Sequence, residues 1–344
     1  MIQGHGDDGY RYTRKIRANF STNVWPFSSL DPLRDHLAAH FDSIGSYPEP
    51  AAESLAQLLA TNAGVGAEQV IVTNGAVAAI HLVAQVFRGA RTRIVIPTFA
   101  EHEDACRLHA HAVEFISREQ FASEDFSGAD LVWLSNPNNP TGDVWSRAEL
   151  LAIVARHPAT RFVVDLAYAE LCLTEPLRDS DVQTHPNLIL LHSLTKRWAI
   201  PGLRLGYVVT APALAVRLAS AQPPWSVNAF AIEAGNFFLS NGASASVTPP
   251  TLAEHLSETA RFGGALARVP GVSVRVSATP FFVFRIERGT ATAAELKAHL
   301  VERHGLLVRD AANFRGLDVR SVRVSTLTPE KNARLVEALR EWMR

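Results

Sequence analysis

Short apolar runs rich in Val, Ile and Leu recur along the chain, and the segments between them carry apolar residues at helical spacing. The runs at 70–72, 93–96, 131–134, 162–164, 188–191 and 206–209 mostly lack the strict alternation of a half-exposed strand, which predicts buried strands of a parallel sheet. After the first run, Ala76, Ala79, Ile80, Val83, Val86 and Phe87 fall on one face of a helix, and the segment 146–156 opens with a serine suited to N-capping. Repeated alternation of strand and helix predicts an α/β fold built on a doubly wound sheet covered on both faces.

The pattern that runs up to Phe237, Phe238 and Leu239 breaks at 240–250, where small residues and turn formers end in two prolines. That break is the expected lobe boundary. Beyond it the spacing predicts a helix at 252–267, strands at 272–276 and 281–286, then helix, strand and a final helix, as in a smaller α+β lobe. Thr328 as N-cap, Pro329 in the first turn and Glu330 beside it mark the start of the last helix.

Composition excludes several classes of protein. With 344 residues, 47% of them hydrophobic and 19% charged, the chain can bury a deep core and has the balance of neither a disordered nor a fibrous protein. Thirty-three basic against 34 acidic side chains leave a net charge of -1, so no overall basic field exists to hold nucleic acid or anionic lipid. Residues 1–12 are polar, and the apolar stretches elsewhere are strand-length, short of the ~20 residues a membrane span needs. Cys106 and Cys172 have no CxxC spacing and read as small apolar residues in a reducing compartment. A cytoplasmic protein is expected, with its function in loops at strand ends.

Four such loops carry chemistry. After the run at 188–191 come His192-Ser193-Leu194-Thr195-Lys196, with Arg204 eight residues beyond the lysine. An amine in a confined, cation-rich site suits a Schiff-base nucleophile, and the hydroxyl and arginine suit a phosphate. The run at 162–164 ends on Asp165, with Tyr168 three residues on. A carboxylate there can hold a pyridine nitrogen protonated while a phenol donates to a ring oxygen; equally, an Asp that caps the next turn above a packed Tyr explains both residues. Ser135-Asn136-Pro137-Asn138-Asn139-Pro140-Thr141-Gly142 has its backbone fixed by prolines, leaving asparagine amides for a ligand, although such a stretch by itself is only a turn. Asn74-Gly75-Ala76-Val77 leads from strand into helix through a glycine, exposing first-turn amides to an anion.

In order and internal spacing these segments resemble the fold-type I pyridoxal-phosphate enzymes of the aspartate aminotransferase superfamily, over about residues 23–323. The resemblance implies a large lobe with a mostly parallel, seven-stranded-type sheet and a smaller α+β lobe. The implied division is an N-terminal segment 1–30 packed with the small lobe, a cofactor-binding domain 31–240 and a small domain 241–344. It further implies pyridoxal 5'-phosphate as cofactor and no metal. Lys196 would be the Schiff-base attachment, Asp165 would face the pyridinium, and Tyr168 and Asn139 would hold the phenolic oxygen. Gly75, Ala76, Val77, Ser193 and Arg204 would hold the phosphate, and Phe99 would cover the ring, with His102 nearby. Tyr47, in Ser46-Tyr47-Pro48-Glu49-Pro50, matches a tyrosine that in the histidinol-phosphate aminotransferase branch reaches the partner subunit's cofactor phosphate, implying a homodimer. Arg323 resembles the arginine that grips a substrate carboxylate.

Which bond breaks depends on which α-carbon substituent stands perpendicular to the ring, and the shared core does not decide that. The edges of the chain add to the picture. His5-Gly6, Phe20-Ser21-Thr22-Asn23 and the stretch from Leu307 to Leu317 resemble the threonine-phosphate decarboxylase branch more than the histidinol-phosphate aminotransferases. Asp7-Asp8 departs from that branch, which more usually continues with a glycine. The implied activity is decarboxylation of L-threonine O-3-phosphate to (R)-1-aminopropan-2-yl phosphate in cobalamin biosynthesis. The alternatives are a histidinol-phosphate or related aminotransferase, or a non-catalytic cofactor-binding regulator. A phosphorylated amino acid needs two anion sites, for which His5, Asn23, Asn139, Arg309 and Arg323 are the candidates, with Arg315 expected in a surface salt bridge.

Overall fold

The computed structural model describes residues 7–240 and 250–344. After a short strand β1 (Ala18–Asn19), seven strands form the main sheet: β2 (Val70–Thr73), β3 (Arg91–Ile96), β4 (Ala112–Ser117), β5 (Leu131–Ser135), β6 (Arg161–Asp165), β7 (Leu188–Ser193) and β8 (Gly206–Thr210). Their order across the sheet is β2-β8-β7-β6-β5-β3-β4. Along β5, β6 and β7, Val132, Leu134, Phe162, Val164 and Leu190 enter one apolar cluster, while Leu131, Trp133, Val163, Ile189 and Leu191 enter another. Alternate side chains thus leave opposite faces and both faces are dry, which is why these runs show no polar alternation.

Helices cover both faces: α1 (Asp31–Ala39), α2 (Glu53–Ala63), α3 (Ala76–Val86), α4 (Ala100–Leu108), α5 (Arg118–Phe121), α6 (Arg147–Arg156), α7 (Pro212–Ala221) and α8 (Ala229–Ser240). The predicted cap of α6 is a full capping box: Ser146 Oγ accepts from Glu149 N, and the Glu149 carboxylate accepts from Ser146 N.

Two expectations fail in this sheet. The run at 206–209 is not parallel: β8 pairs antiparallel with both β7 and β2. Residues 194–205 form a turn-rich loop with no crossover helix, and a parallel return needs one. Strand β4 was not expected, because it is an edge strand whose exposed Ala112 and Glu114 interrupt its apolar positions.

The chain continues through α9 (Leu252–Ala267), β9 (Val272–Val274), β10 (Phe281–Ile286), α10 (Ala293–His299), β11 (Leu306–Leu307), β12 (Arg309–Asp310), β13 (Ser321–Ser325) and α11 (Pro329–Trp342). A four-stranded antiparallel sheet, ordered β12-β13-β10-β9, packs on these helices around Phe262, Leu266, Phe282, Phe284, Leu335 and Leu339. Phe20 joins that cluster and β1 pairs with β11, which ties the N-terminal segment to it. The strand expected at 272–276 stops at Val274. Thr328 stands at the N-cap of α11 without a side-chain bond to the helix backbone. Of the predicted boundary, 241–249 lie outside the described residues, as does His5. Among the described residues no helix is long and apolar enough to cross a membrane.

Candidate active site

Strands β5, β6 and β7 end together at the C-terminal edge of the main sheet, the place where open α/β sheets bind ligands. Their loops, the start of α3 and part of the second sheet enclose a cavity of about 380 Å³. Asp165 closes β6 and Ser193 closes β7, and Lys196 stands in the turn that leads back into antiparallel β8. Ala76, Val77, Phe99, Asn139, Tyr168 and Arg204 line the same cavity, as do Asn23, Arg309 and Arg323.

One end is built for an anion. At Gly75 (φ +83°) an added Cβ would stand 2.6 Å from Arg204 Nη2, so glycine is what lets the guanidinium lie against the start of α3. The Gly75 amide itself donates to Thr73 O at 2.7 Å, so this residue contributes space, and the amides of Ala76 and Val77 are left as the cradle. Ser193 Oγ bonds Thr195 Oγ1 at 2.9 Å, which adds a second hydroxyl to this end.

At the other end is the buried Asp165. Its Oδ1 accepts from Ala167 N at 2.9 Å, and its Oδ2 lies 3.4 Å from Nε2 of His102. The carboxylate therefore both caps the local turn and faces the cavity, so the two sequence readings are compatible. His102 is wholly buried against Trp133, with ring centroids 5.3 Å apart, and neither ring nitrogen makes a hydrogen bond among the described residues. It stands behind the carboxylate. The Tyr168 ring packs edge-on against Phe281, 5.8 Å from Lys196 Nζ.

The asparagine loop is less open than expected. Asn136 bonds the backbone N and O of Trp145, and Asn138 donates to Pro97 O and Thr141 Oγ1, so both amides hold the loop together. Asn139 alone lines the cavity. Its Oδ1 accepts from Arg323 Nη1 at 2.6 Å, which leaves Nδ2 as the donor for a ligand.

Arg309 and Arg323 are direct register partners on β12 and β13, so two buried guanidinium groups stand side by side. Arg323 donates to two neutral oxygens, Asn139 Oδ1 and Ser21 O, and its Nε has no partner among the described residues. Burial pushes its pKa down to about 10, which still leaves it charged at neutral pH. Burial also lowers that of Arg309, whose Nη2 donates to Asn313 Oδ1. Asn23 Oδ1 accepts from Ser325 Oγ, and its buried Nδ2 has no partner among the described residues. Buried donors of this kind demand a polar or anionic ligand.

Other expected residues lie elsewhere. Tyr47 is 86% exposed, stacks near Trp225 and does not line this cavity. Arg315 makes the expected surface pair, bidentate to Glu103. Sequence reasoning passed over Asp7 and Thr195, which also line the cavity. Thr195 carried a signal, a hydroxyl beside the lysine. Asp7 carried none: it accepts from Asn19 Nδ2 at 2.7 Å, while Asp8 pairs with the buried Lys297 at 2.7 Å. The aspartates that depart from the branch pattern thus fasten the N-terminal segment.

Residues 16–339 match the sequence profile described as aminotransferase class I and II. The chain is 32% identical to the threonine-phosphate decarboxylase of Salmonella typhimurium, over 94% of this chain and 90% of that one. It is 30% identical to a histidinol-phosphate aminotransferase of Desulfitobacterium hafniense, over 96% and 92%. It superposes on the crystal structure of L-threonine-O-3-phosphate decarboxylase from Porphyromonas gingivalis with a TM-score of 0.91 and 42% identity, covering 95% of this chain and 99% of that one.

Proposed function

The chain belongs to the aminotransferase class I and II family, and from that premise we propose that it decarboxylates L-threonine O-3-phosphate to (R)-1-aminopropan-2-yl phosphate in cobalamin biosynthesis. The observation that carries this reading is the opposed pair of buried arginines, Arg309 and Arg323, at one cavity wall. The substrate brings a phosphate and a carboxylate on one small molecule, and two guanidinium forks meet both. Histidinol phosphate has a phosphate and no carboxylate, so in that reaction the second fork would serve only the keto-acid partner. An aminotransferase acting on it remains the second reading because relatives of that name match nearly the whole chain.

The cofactor is pyridoxal 5'-phosphate, and the donor set fits it: an anion cradle at one end, a buried carboxylate at the other and a single amine between them. When bound, it supplies a conjugated ring that accepts the electron pair left at the substrate's α-carbon. Lys196 would hold the cofactor covalently through its Nζ amine, and that amine, when protonated, would supply the proton that the substrate's α-carbon takes up. Asp165, oriented by the Ala167 amide, would keep a proton on the ring nitrogen, with His102 behind it 3.4 Å from Oδ2. Tyr168 and Asn139 would donate to the ring oxygen, and Phe99 would shield the ring from water. Ala76, Val77, Ser193 and Arg204 would bind the cofactor phosphate beside Gly75. Arg323 and Asn23 take the substrate carboxylate, and Arg309 takes its phosphate, with His5 as a further contact. The same reading divides the chain into segment 1–30, large domain 31–240 and small domain 241–344. It also makes the protein a cytoplasmic homodimer. Phe41, Ile44, Tyr47 and Trp225 are exposed apolar side chains suited to the subunit contact that would bring Tyr47 to the partner's phosphate.

Given L-threonine O-3-phosphate and no keto acid, the holoenzyme is expected to release carbon dioxide in step with substrate loss. Absence of release, with 2-oxoglutarate-dependent turnover of histidinol phosphate, would establish the aminotransferase instead. A second test addresses the cradle. Gly75→Ala places a Cβ against Arg204 at a positive-φ position, which costs about 1–2 kcal/mol in backbone strain and more if the arginine moves. Equilibrium dialysis of the cofactor against apoenzyme should show binding weakened by roughly ten- to a hundredfold. Unchanged affinity would place the phosphate elsewhere.

A further inference from the structure

Three side chains that do not line the cofactor cavity meet on the second lobe. Helix α10 ends at His299, and the chain continues through one π-turn, Leu300–His304, before Gly305 (φ +68°) stops it. An i to i+5 turn brings residues five apart onto one face, which an α-helix does not. The rings of His299 and His304 accordingly stand 5.6 Å apart. Glu341, in the last turn of α11, reaches toward them, its Oε2 lying 3.7 Å from His304 Nε2. All three donor atoms lie within 4.8 Å of one another. Both Nε2 atoms are shielded from solvent, and neither has a hydrogen-bond partner among the described residues. Buried ring nitrogens that converge without partners are what a metal ion would satisfy.

We propose that His299, His304 and Glu341 form a binding site for a borderline-soft divalent cation of the Zn2+ and Ni2+ type, with water completing the coordination. Two imidazoles and one carboxylate select such ions over Mg2+ or Ca2+, which prefer oxygen donors. Metal–ligand bonds of about 2.0–2.2 Å in a tetrahedron place donors roughly 3.3 Å apart, so the 3.7 Å pair needs only a small movement of the exposed Glu341 side chain. The ion would clamp the π-turn to α11, just ahead of the strand that carries Arg309. A second cluster, His36, His40 and Glu233, differs in that its donors are engaged: His36 Nε2 bonds Glu233 and His40 Nδ1 bonds His36 O.

Isothermal titration of the holoenzyme with Zn2+ tests this. Tight binding of one equivalent is expected, weakened at least about tenfold by His304→Gln and by Glu341→Gln and unchanged by His36→Gln. Glu341 is exposed, so its substitution reads the site without threatening the fold. No tight binding, equal binding by wild type and Glu341→Gln, or a loss that follows His36→Gln would each overturn the proposal.

Discussion

Lys196→Ala is expected to lower carbon dioxide release by at least about a thousandfold and to leave the cofactor removable by dialysis. Lys196 is the only amine among the described residues lining the cavity, and the other cations there, Arg204, Arg309 and Arg323, are guanidinium groups that neither form the covalent link nor shuttle a proton near neutral pH. The lysine is also precisely placed by its loop. Its carbonyl accepts from Trp25 N at 2.8 Å, and Leu194 N and Ile200 N donate to Leu205 O and Thr195 O on either side. Removing the side chain leaves those bonds intact, so the far-ultraviolet spectrum should not change while the visible cofactor band is lost. Turnover that survives the substitution would remove the basis of the proposed chemistry.

Arg309→Ala should reduce kcat/KM for L-threonine O-3-phosphate by roughly two to three orders of magnitude, the range for truncating one partner of a buried charged pair, about 2–5 kcal/mol. Residual turnover of unphosphorylated L-threonine should not change, so the preference for the phosphorylated substrate collapses. Arg323→Ala, by contrast, should depress both substrates, since both carry the carboxylate. The pH dependence separates the arginines further. A phosphate monoester takes its second negative charge as pH rises through about 6, so wild-type KM should fall over that interval. The fall should flatten in Arg309→Ala and persist in Arg323→Ala. Steady-state kinetics between pH 5 and 8 check this, and an Arg309→Ala enzyme that keeps the wild-type preference for phosphorylated substrate would assign the phosphate to another group.

The lysine end of the cavity was legible because each part of it is local. Asp165 with Tyr168, and Ser193 with Lys196 and Arg204, lie within single stretches that leave one strand end, and a strand end points its next few residues at one rim of the sheet. Gly75 was legible for the same reason, although its role proved to be the room it leaves for Arg204. Both buried faces of the main sheet were likewise visible, since a strand covered on two sides needs an unbroken apolar run.

What only the tertiary structure decided depends on pairs far apart in sequence. The opposition of Arg309 and Arg323 comes from the antiparallel register of β12 on β13, and a slip of one residue would turn one of them to the other face. His102 reached Asp165 because α4 packs over β3 and β4 and sets the ring against Trp133 of β5, and the Asp8 to Lys297 pair spans 289 residues. The antiparallel direction of β8 followed from the route of a loop. By itself the sequence determined most strands of the main sheet, several of its helices and the side chains that meet at its C-terminal edge, because neighbouring residues set backbone preference and periodicity. Packing and register determined which distant charges share a wall, because that is a property of how whole elements come to rest against one another.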